Sequence, residues 1–493
     1  MTYHDKMSQH TGSAINLHAI AYQAMLAEDF TPNLSADVLA EIDQLSENDL
    51  TNKIDSQVVD LRNLLWSSID NEDSRDLDQI EVAEQLENEQ IRVRVGIADV
   101  DVFVPKNSAI DRYAAQNTTS VYTGVQTFSM LPRELSENFT SLLENADRLA
   151  IIIDFTVAGD GGVKLNGIYR ALVRNQAKLD YDSVGAWLDG RGELPVNLFG
   201  LDEQLRLQDT AADRLQAVRV RAGALEFGTV EATATRSEGD VYELKVQQKN
   251  QARYLIENLM ITSNVTMAQF LESRKYPTLE RVVRRPERWQ RIVELAKTFG
   301  AQLPNEPDSR SLADFLQQRR AADPLHFPDL SLSIVKLIGA GDYTVVPPGA
   351  DGGGHFGLAV NDYTHSTAPN RRYADLVTQR LVKAAINNAP PPYSLEELEQ
   401  IATRCNERQT AERKVERTMR KVVAAQALSR RIGEIFDGIV TGVSNKGTFV
   451  RLINPPAEGR ITQNEVSLDV GDRVNVRLVA TDASKGFIDF ARV

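Results

Sequence analysis

The sequence predicts an α+β protein in which a helical N-terminal part, a mixed body and a small β-barrel follow one another. Residues 13–65 carry apolar side chains at helical spacing. From Ile91 the pattern changes to the strand-like alternation IRVRVGIADVDVFV, after which helical and strand-like segments alternate. The last sixty residues are short β-rich segments separated by Gly, Asn and Asp, which is typical of a closed barrel. We therefore divide the chain into residues 1–60, 61–432 and 433–493.

The helical part contains three predicted helices. One runs from about Ala14 to Ala27, a second follows the capping-type residue Ser35, and a third covers residues 56–65. Two interpretations are open for this part, a small helix-turn-helix-like module or a helical arm that packs on the body.

The body is predicted to contain four helices, a buried strand and a glycine-rich loop. These are a helix after Ser108, the strand LAIIIDFTV at 149–157, an amphipathic helix at 252–271, the loop GADGGGHFG at 349–357, and helices at 371–386 and 395–432. The loop lacks the Gly-Lys-Ser/Thr ending of a nucleotide-binding P-loop, so we interpret it as a connector.

Composition indicates a soluble protein of several modules. The length of 493 residues exceeds one ordinary domain, and 42% hydrophobic with 25% charged residues is typical of globular proteins. No apolar run approaches the roughly 18 residues of a membrane span, and the N-terminus does not resemble a secretory signal. Cys405 is the only cysteine, which excludes an intrachain disulfide and a cysteine-based zinc site. These features predict a cytoplasmic protein without a membrane segment.

The net charge of −14 is distributed unevenly along the chain. Residues 1–90 contain 19 acidic and 4 basic side chains, so the rest of the chain is close to neutral. Within that remainder, residues 404–431 hold nine basic side chains and three Glu. A polyanion would bind this basic segment while the acidic head faces away or binds metal. The alternative is an ordinary solvated helix face.

The densest carboxylate cluster is DNEDSRDLDQIE at residues 70–81. In an extended segment Asp76 and Asp78 project to one side, with Asp70 returning from a preceding turn, and such oxygens are the ligands that Mg²⁺ prefers. A calcium loop is disfavoured because Arg75 stands where that loop requires glycine and because a strand follows. A plain acidic surface loop is the other alternative.

Five separated motifs resemble the catalytic domain of the RNase II and RNase R exoribonucleases, the RNB family. They are SIDNEDSRDLDQIE, VGIADVDVFV, MLPRELSENFTSLLENADRLA, ARYLIENLMITSNVTMAQFL and GHFGLAVNDYTHSTAPNRRYADLVTQRLVKA. The resemblance covers about residues 60–432, in the family's order and close to its spacing. It implies an RNB-type domain with a mixed sheet and surrounding helices. The implied activity is hydrolysis of single-stranded RNA from its 3′ end, releasing nucleoside 5′-monophosphates.

The resemblance also assigns roles to individual residues. Asp70, Asp76 and Asp78 match three of the family's four metal-binding, catalytic aspartates, and Arg371 matches the arginine beside the scissile phosphate. Five residues match RNA-binding positions: Tyr122 and Phe227 as aromatics that clamp the last bases, Tyr181 and Glu257 at the ribose, and Glu412 at the 3′ nucleotide. The alternative for each aromatic is a place in the core. For Glu257 it is a surface pair with Arg253, four residues earlier.

One position departs from the family pattern. Where the family has its fourth aspartate, this chain has Gln79. An amide oxygen ligates Mg²⁺ but adds no negative charge, so we expect an active enzyme with a weaker metal site and a higher Mg²⁺ requirement. Glu72, Asp73 and Glu81 are the candidates to compensate, and the sequence does not choose among them.

The ends of the chain differ in how they match the family. The last segment resembles the OB-fold RNA-binding domain of the ribosomal protein S-one type that ends these enzymes. The two cold-shock domains that precede their aspartates do not fit into the 69 residues before Asp70. We expect the helical head to replace one wall of the RNA path.

The mechanism implied by the resemblance uses two Mg²⁺ ions, with Mn²⁺ as the alternative ion, and no other small-molecule cofactor. Single-stranded RNA is the expected partner, and no protein partner is indicated. A rival mechanism uses His355 and His365 as an acid–base pair, which a chelator such as EDTA would leave largely intact. The rival from another class is a non-catalytic RNA-binding or regulatory protein that keeps the RNB fold.

Overall fold

The computed structural model describes most of the chain. The described residues are 15–46, 53–228, 231–236, 242–247, 249–286, 288–444, 447–464 and 468–493, with only the backbone described in 231–236 and 242–247. Three bodies of structure follow in chain order, namely a helical arm, a mixed α+β body and a closed barrel. The predicted α+β class is therefore confirmed.

The centre of the body is a six-stranded sheet in the order β1-β8-β2-β3-β4-β7. Its strands are β1 (Val59–Asp60), β2 (Trp66–Asp70), β3 (Gln79–Gln85), β4 (Ile91–Ala98), β7 (Asp147–Val157) and β8 (Val163–Asp180). The long strand β8 pairs antiparallel with β7 and parallel with β1 and β2, so it joins the two sides of the sheet. Apolar side chains from both sheet faces, such as Trp66 and Phe155, are fully buried.

The remaining strands form small pairs and the C-terminal barrel. The pairs are β5 (Val121–Tyr122) with β6 (Thr127–Phe128), β9 (Glu231–Arg236) with β10 (Tyr242–Gln247), and β11 (Thr278–Val282) with β12 (Asp342–Val346). The closed barrel, in the order β13-β14-β15-β17-β16, consists of β13 (Ile435–Ser444), β14 (Gly447–Leu452), β15 (Glu458–Gln463), β16 (Arg473–Asp482) and β17 (Phe487–Arg492). It confirms the predicted barrel.

Eleven α-helices are described outside the sheets. They are α1 (Leu17–Ala27), α2 (Ala36–Ile42), α3 (Ala109–Asn117), α4 (Tyr181–Leu188), α5 (Leu201–Ala222), α6 (Gln251–Ser273), α7 (Trp289–Thr298), α8 (Ser309–Ala322), α9 (Phe327–Ile338), α10 (Tyr373–Ile386) and α11 (Leu395–Leu428). The predicted starts after Ser108 and Ser394 are confirmed, since each hydroxyl accepts a backbone N–H bond of the first turn. No helix in the described part of the chain is long and apolar enough to cross a membrane.

The third predicted helix, at residues 56–65, is wrong. This segment contains β1, whose Val59 pairs with Ala171 of β8, and Leu61 donates its N–H to the carbonyl of Leu172. Val59 is β-branched and lies beside an unpaired strand edge. Pairing with the sheet stabilises such a residue more than a short isolated helix does. The last predicted helix also ends earlier, at Leu428, before a single 3₁₀ turn.

The N-terminal helices form an arm on the body. Leu17 and Met25 of α1 share a buried cluster with Val415 and Met419 of α11. Glu28, which follows α1, accepts from Lys414 Nζ at 3.0 Å. Part of the basic helix therefore binds the acidic head, which does not face away from it. Of the two interpretations of this segment, the arm describes the structure.

A buried arginine fixes α10 to α3 and to the turn that follows β4. Arg380, 4% exposed, donates to Asp101 and Asp111 at 2.8 Å each and to the Tyr393 hydroxyl at 2.7 Å. Asp111 is itself 3% exposed. The pair therefore holds two opposite charges away from water.

We predict that Arg380→Met lowers the free energy of unfolding by about 3–5 kcal/mol, because it leaves the buried Asp111 without its partner. Urea denaturation measures the loss. The control is Arg191→Met, which breaks the exposed pair with Asp189 at 2.6 Å and should cost less than about 1 kcal/mol. Equal losses in the two variants would contradict the assignment.

Candidate active site

The carboxylate cluster lies where two strands of the sheet separate. Asp70 is the last residue of β2 and pairs with Asp180 of β8, whereas Gln79 is the first residue of β3 and pairs with Ile97 of β4. Asp70 therefore lies at the end of a strand. Our prediction that it returns from a preceding turn is wrong. The loop between the strands is held by Ser141, whose hydroxyl donates to the Arg75 carbonyl at 2.6 Å.

Asp78 is the most enclosed of the three aspartates. It is 2% exposed, and its carboxylate accepts from the backbone N–H of Asn370 at 3.0 Å and from Arg371 Nε at 3.1 Å. Burial raises the pKa of Asp78 to about 7, although the nearby Arg371 charge lowers it. The Arg371 side chain remains 43% exposed. One face of its guanidinium is thus free to meet a ligand.

Asp70 is half-buried, and one of its two carboxylate oxygens is buried without a protein partner. Its Oδ1 accepts from Gln79 Nε2 at 3.4 Å, while Oδ2 has no hydrogen-bond partner among the residues the structure describes. Burial raises the pKa of Asp70 to about 6, and the Asp76 charge adds to the effect while Arg371 opposes it. Carboxylates that favour protonation in this way are stabilised by a bound cation.

Asp76 connects the cluster to an aromatic side chain. The hydroxyl of Tyr122, in the short β5–β6 hairpin, donates to Asp76 Oδ2 at 3.3 Å. The Tyr122 ring is exposed, and its backbone N–H donates to Glu416 Oε1 at 3.2 Å. An exposed aromatic face therefore lies beside the three aspartates.

A cavity of about 200 Å³ continues from this point into the body. Its lining includes Tyr122, Arg371, Glu412, His365 and Gln409. Burial raises the pKa of Glu412 to about 7, with a further contribution from the Glu416 charge. Three of the predicted site residues are thus brought together around one space.

The two histidines do not form an acid–base pair with the site. Burial lowers the pKa of His355 to about 4 and that of His365 well below its usual value, so both are neutral near pH 7. His365 is hydrogen-bonded to the Tyr343 hydroxyl at 2.7 Å, and both imidazoles pack edge-on against Tyr363. His365 also lines the cavity, but both imidazoles are neutral and pack against aromatic rings, which disfavours the histidine mechanism.

Tyr181 lies near Asp70, whose charge adds to the burial that raises the pKa of the tyrosine, and Glu257 lies on α6. Tyr181 begins α4, and the Arg253 guanidinium stacks 4.2 Å from the centre of its ring. Arg253 also donates to Asn71 at 3.1 Å, whereas Glu257 accepts from Lys249 at 3.1 Å. The alternative of an Arg253–Glu257 surface pair is therefore wrong.

Phe227 is the predicted residue that the structure does not bring to the aspartates. It packs at the edge of a separate apolar cluster, with Phe315 and Phe327 of α8 and α9. The next residue, Gly228, donates its N–H to the Ser331 hydroxyl at 3.2 Å. Any contact of Phe227 with RNA would be at a distance from the Asp70–Asp78 loop.

Sequence reasoning missed the residues that shape the site through the backbone. Asn370 binds Asp78 through its N–H, and the Thr140 hydroxyl fixes its side chain at 2.5 Å. Arg372 makes two 2.8 Å bonds to the buried Asp375. The available signal was that Asn370 lies next to Arg371 in one of the motifs. The residue type, however, does not reveal that a backbone N–H acts as the donor.

The residues present fit a divalent cation. In the described part of the chain, no three Asp, Glu, His or Cys side chains converge closely enough to enclose a metal by themselves. Mg²⁺ is commonly held by one or two carboxylates, with water and substrate phosphate completing its shell. The buried, unpartnered Oδ2 of Asp70 is the donor that such an ion requires.

Comparison with known families agrees with this geometry. The RNB domain model matches residues 58–388, and the model of the RNase II-type exonuclease C-terminal S1 domain matches residues 434–493. The chain belongs to the RNB family. The RNB match includes all three aspartates and Arg371 of the site.

This RNB protein is similar to individual proteins over most of its own length, but it spans only part of theirs. Ribonuclease R of Escherichia coli is 30% identical over 88% of the chain, and the chain spans 57% of that protein. Mycoplasma genitalium RNase R, solved with ribose-methylated single-stranded RNA, superposes with a TM-score of 0.86 at 24% identity, over 97% of this chain and 78% of that one. Yeast Ssd1, described as a pseudonuclease, shares the fold with a TM-score of 0.71 at 15% identity, over 94% of this chain and 57% of that one.

We predict a pH-dependent effect of Glu412→Gln on stability. Burial raises the pKa of Glu412 to about 7, so ionising this side chain is less favourable in the folded protein than in the unfolded one. The folded protein therefore loses stability as the pH rises from about 4.5 through about 7. The variant should therefore melt at a higher temperature than wild type above pH 7 and at the same temperature below pH 4.5. Thermal melts from pH 4 to pH 8 measure this difference. Glu399→Gln, at an exposed position of α11, is the control, and a constant difference across the range would contradict the prediction.

Proposed function

We propose that this RNB protein is a hydrolase that degrades single-stranded RNA in the 3′ to 5′ direction, releases nucleoside 5′-monophosphates and depends on Mg²⁺, with Mn²⁺ as the alternative ion. The observation that carries the proposal is that the aspartate segment contacts Arg371 and Tyr122, through Asp78 and Asp76, and that these two residues line one cavity with Glu412. We place the activity in the cytoplasm.

The roles of the side chains follow from their positions. Asp70, Asp76 and Asp78 would supply carboxylate oxygens to the metal site and Gln79 a neutral amide oxygen, and water and RNA phosphate would complete the metal's shell. When bound, divalent cations supply an activated water and stabilise the leaving 3′ oxygen. Arg371, fixed through Nε, offers its remaining N–H groups to a phosphate oxygen and offsets charge that develops on it.

The cavity supports cleavage at an RNA end. Beyond Tyr122 and Arg371 it is bounded by Tyr343, His365 and Cys405. An aromatic face, an arginine and a carboxyl group around one space support the binding of a terminal nucleotide. The Tyr122 ring provides a face on which any base stacks, and the carboxyl of Glu412 is placed to bind hydroxyl groups of the last nucleotide.

A second candidate function is RNA binding without cleavage. The fold is shared with a protein described as a pseudonuclease, and Gln79 removes one of the four family carboxylates. The buried, unpartnered oxygen of Asp70 favours the metal-dependent enzyme, because a site without metal gains nothing from keeping it.

We predict that wild-type protein with Mg²⁺ shortens 3′-tailed RNA to nucleoside 5′-monophosphates, and that EDTA or Asp78→Asn abolishes this activity while RNA binding persists. The substitution removes the charge but keeps the shape that accepts the Asn370 N–H. Gel analysis of end-labelled RNA and chromatography of the products measure the outcome. Intact, tightly bound RNA at every metal concentration would favour the binding protein, and wild-type rates in Asp78→Asn would refute the site.

We also predict that Tyr122→Ala weakens binding of single-stranded RNA by about 1–3 kcal/mol through loss of one stacked base. The matched control, Tyr122→Phe, keeps the ring and loses only the bond to Asp76, so its affinity should stay close to wild type. Fluorescence anisotropy in EDTA measures binding without cleavage. Equal weakening in both variants would show that the hydroxyl, and not the ring, makes the contact.

A further inference from the structure

Glu81 is a buried acid for which the fold offers no partner. It is the third residue of β3 and is 0% exposed. Neither of its carboxylate oxygens has a hydrogen bond among the described residues. An ionised carboxylate without a partner is costly in the protein interior, so its presence requires a reason.

The position of Glu81 in β3 determines the face of the sheet to which its side chain points. Side chains two residues apart in a strand lie on the same face, so Glu81 shares a face with Gln79, while Ile80 points to the other. The Gln79 amide reaches Asp70 at 3.4 Å. Gln79 thus links Asp70 to the face of β3 on which Glu81 lies.

The atoms around Glu81 are suited to a cation. Ser67, its cross-strand neighbour, has a buried hydroxyl oxygen without a partner, as does the amide of Gln208, whose Nε2 donates to the Glu81 carbonyl at 3.5 Å. With Asp70 Oδ2 and the two Glu81 oxygens, the unpartnered atoms of these four residues are all oxygens. Hard divalent cations select oxygen ligands.

The other acids of the segment are placed differently. Glu72 and Asp73 are exposed in the loop before Asp76. The Lys178 ammonium donates to the Glu72 backbone carbonyl at 3.0 Å, which keeps a positive charge beside that part of the loop. Of the three acids that the sequence offers as substitutes for the missing aspartate, only Glu81 is buried on the face that Gln79 shares.

We propose that Glu81 supplies the negative charge that Gln79 lacks, by ligating, together with Asp70, a divalent cation of the site. This inference rests on the proposed metal-dependent function and specifies how the metal is held. Two carboxylates at this point form the kind of partial shell that water and an RNA phosphate complete. The site keeps its charge although the charged residue has moved two positions along the strand.

The test is metal binding measured without RNA. Mn²⁺ is titrated into purified full-length protein, and free Mn²⁺ is followed by electron paramagnetic resonance. We expect Glu81→Gln to weaken Mn²⁺ binding by at least about tenfold. Glu72→Gln, the same substitution at an exposed acid of the same segment, should bind Mn²⁺ like wild type.

Two further readouts separate a ligand from a structural residue. Mn²⁺ should raise the melting temperature of wild type, and it should raise that of Glu81→Gln less, because the variant binds the ion more weakly. Adding Gln79→Asp to the Glu81→Gln protein should restore Mn²⁺ affinity, since the charge returns to the family's position. Glu81→Leu provides a second charge-free variant if the amide disturbs folding.

Three outcomes overturn the inference. Unchanged Mn²⁺ affinity in both Glu81→Gln and Glu81→Leu would show that the carboxylate does not bind the ion. Equal weakening by Glu72→Gln would reduce the effect to general electrostatics. Wild-type protein that binds no Mn²⁺ and degrades no RNA would refute the proposed function as well, whereas wild-type binding and degradation with unaffected Glu81 variants would refute the inference alone.

Discussion

The bonds between Asp78 and the Asn370–Arg371 segment organise the site. They join residues 292 and 293 positions apart, in a place where the carboxylate is nearly inaccessible to water. The same segment also positions the aromatic hairpin, because the Arg371 carbonyl accepts from the Ser120 N–H at 2.9 Å. One buried charge pair thereby sets the aspartate loop, the arginine and Tyr122 relative to one another.

Without a ligand, the site contains carboxyl groups whose ionised forms are unfavourable. Asp70, Asp78, Glu81 and Glu412 all have pKa values raised mainly by burial, and each also has an acid near it that raises its pKa further. A fold that maximised its own stability would place apolar groups there. Positive charge brought by a ligand relieves this repulsion, so binding energy and folding energy are coupled at the same residues.

Local signals in the sequence were sufficient for the helices with polar caps and for the strands of alternating pattern, as Ser108 and Ser394 illustrate. They failed at residues 56–65, because the partner that turns Val59 into a strand residue lies in β8, more than a hundred positions away. The motifs located the Asp70–Asp78 segment and Arg371. They did not reveal that Arg253 stacks on Tyr181, or which acid of the segment is buried, since both depend on packing between distant elements.

The packing of α1 on α11 has a consequence for how the protein is made. Glu28 contacts Arg408, which lies 380 residues later in the chain. At translation rates of about 5–20 residues per second, α1 waits roughly 20–80 seconds on the ribosome before its partner helix exists. The hairpin that carries Tyr122 rests on the same cluster, through Val121. The apolar side chains of α1 and of this hairpin therefore stay unpacked until α11, which covers them, has been synthesised.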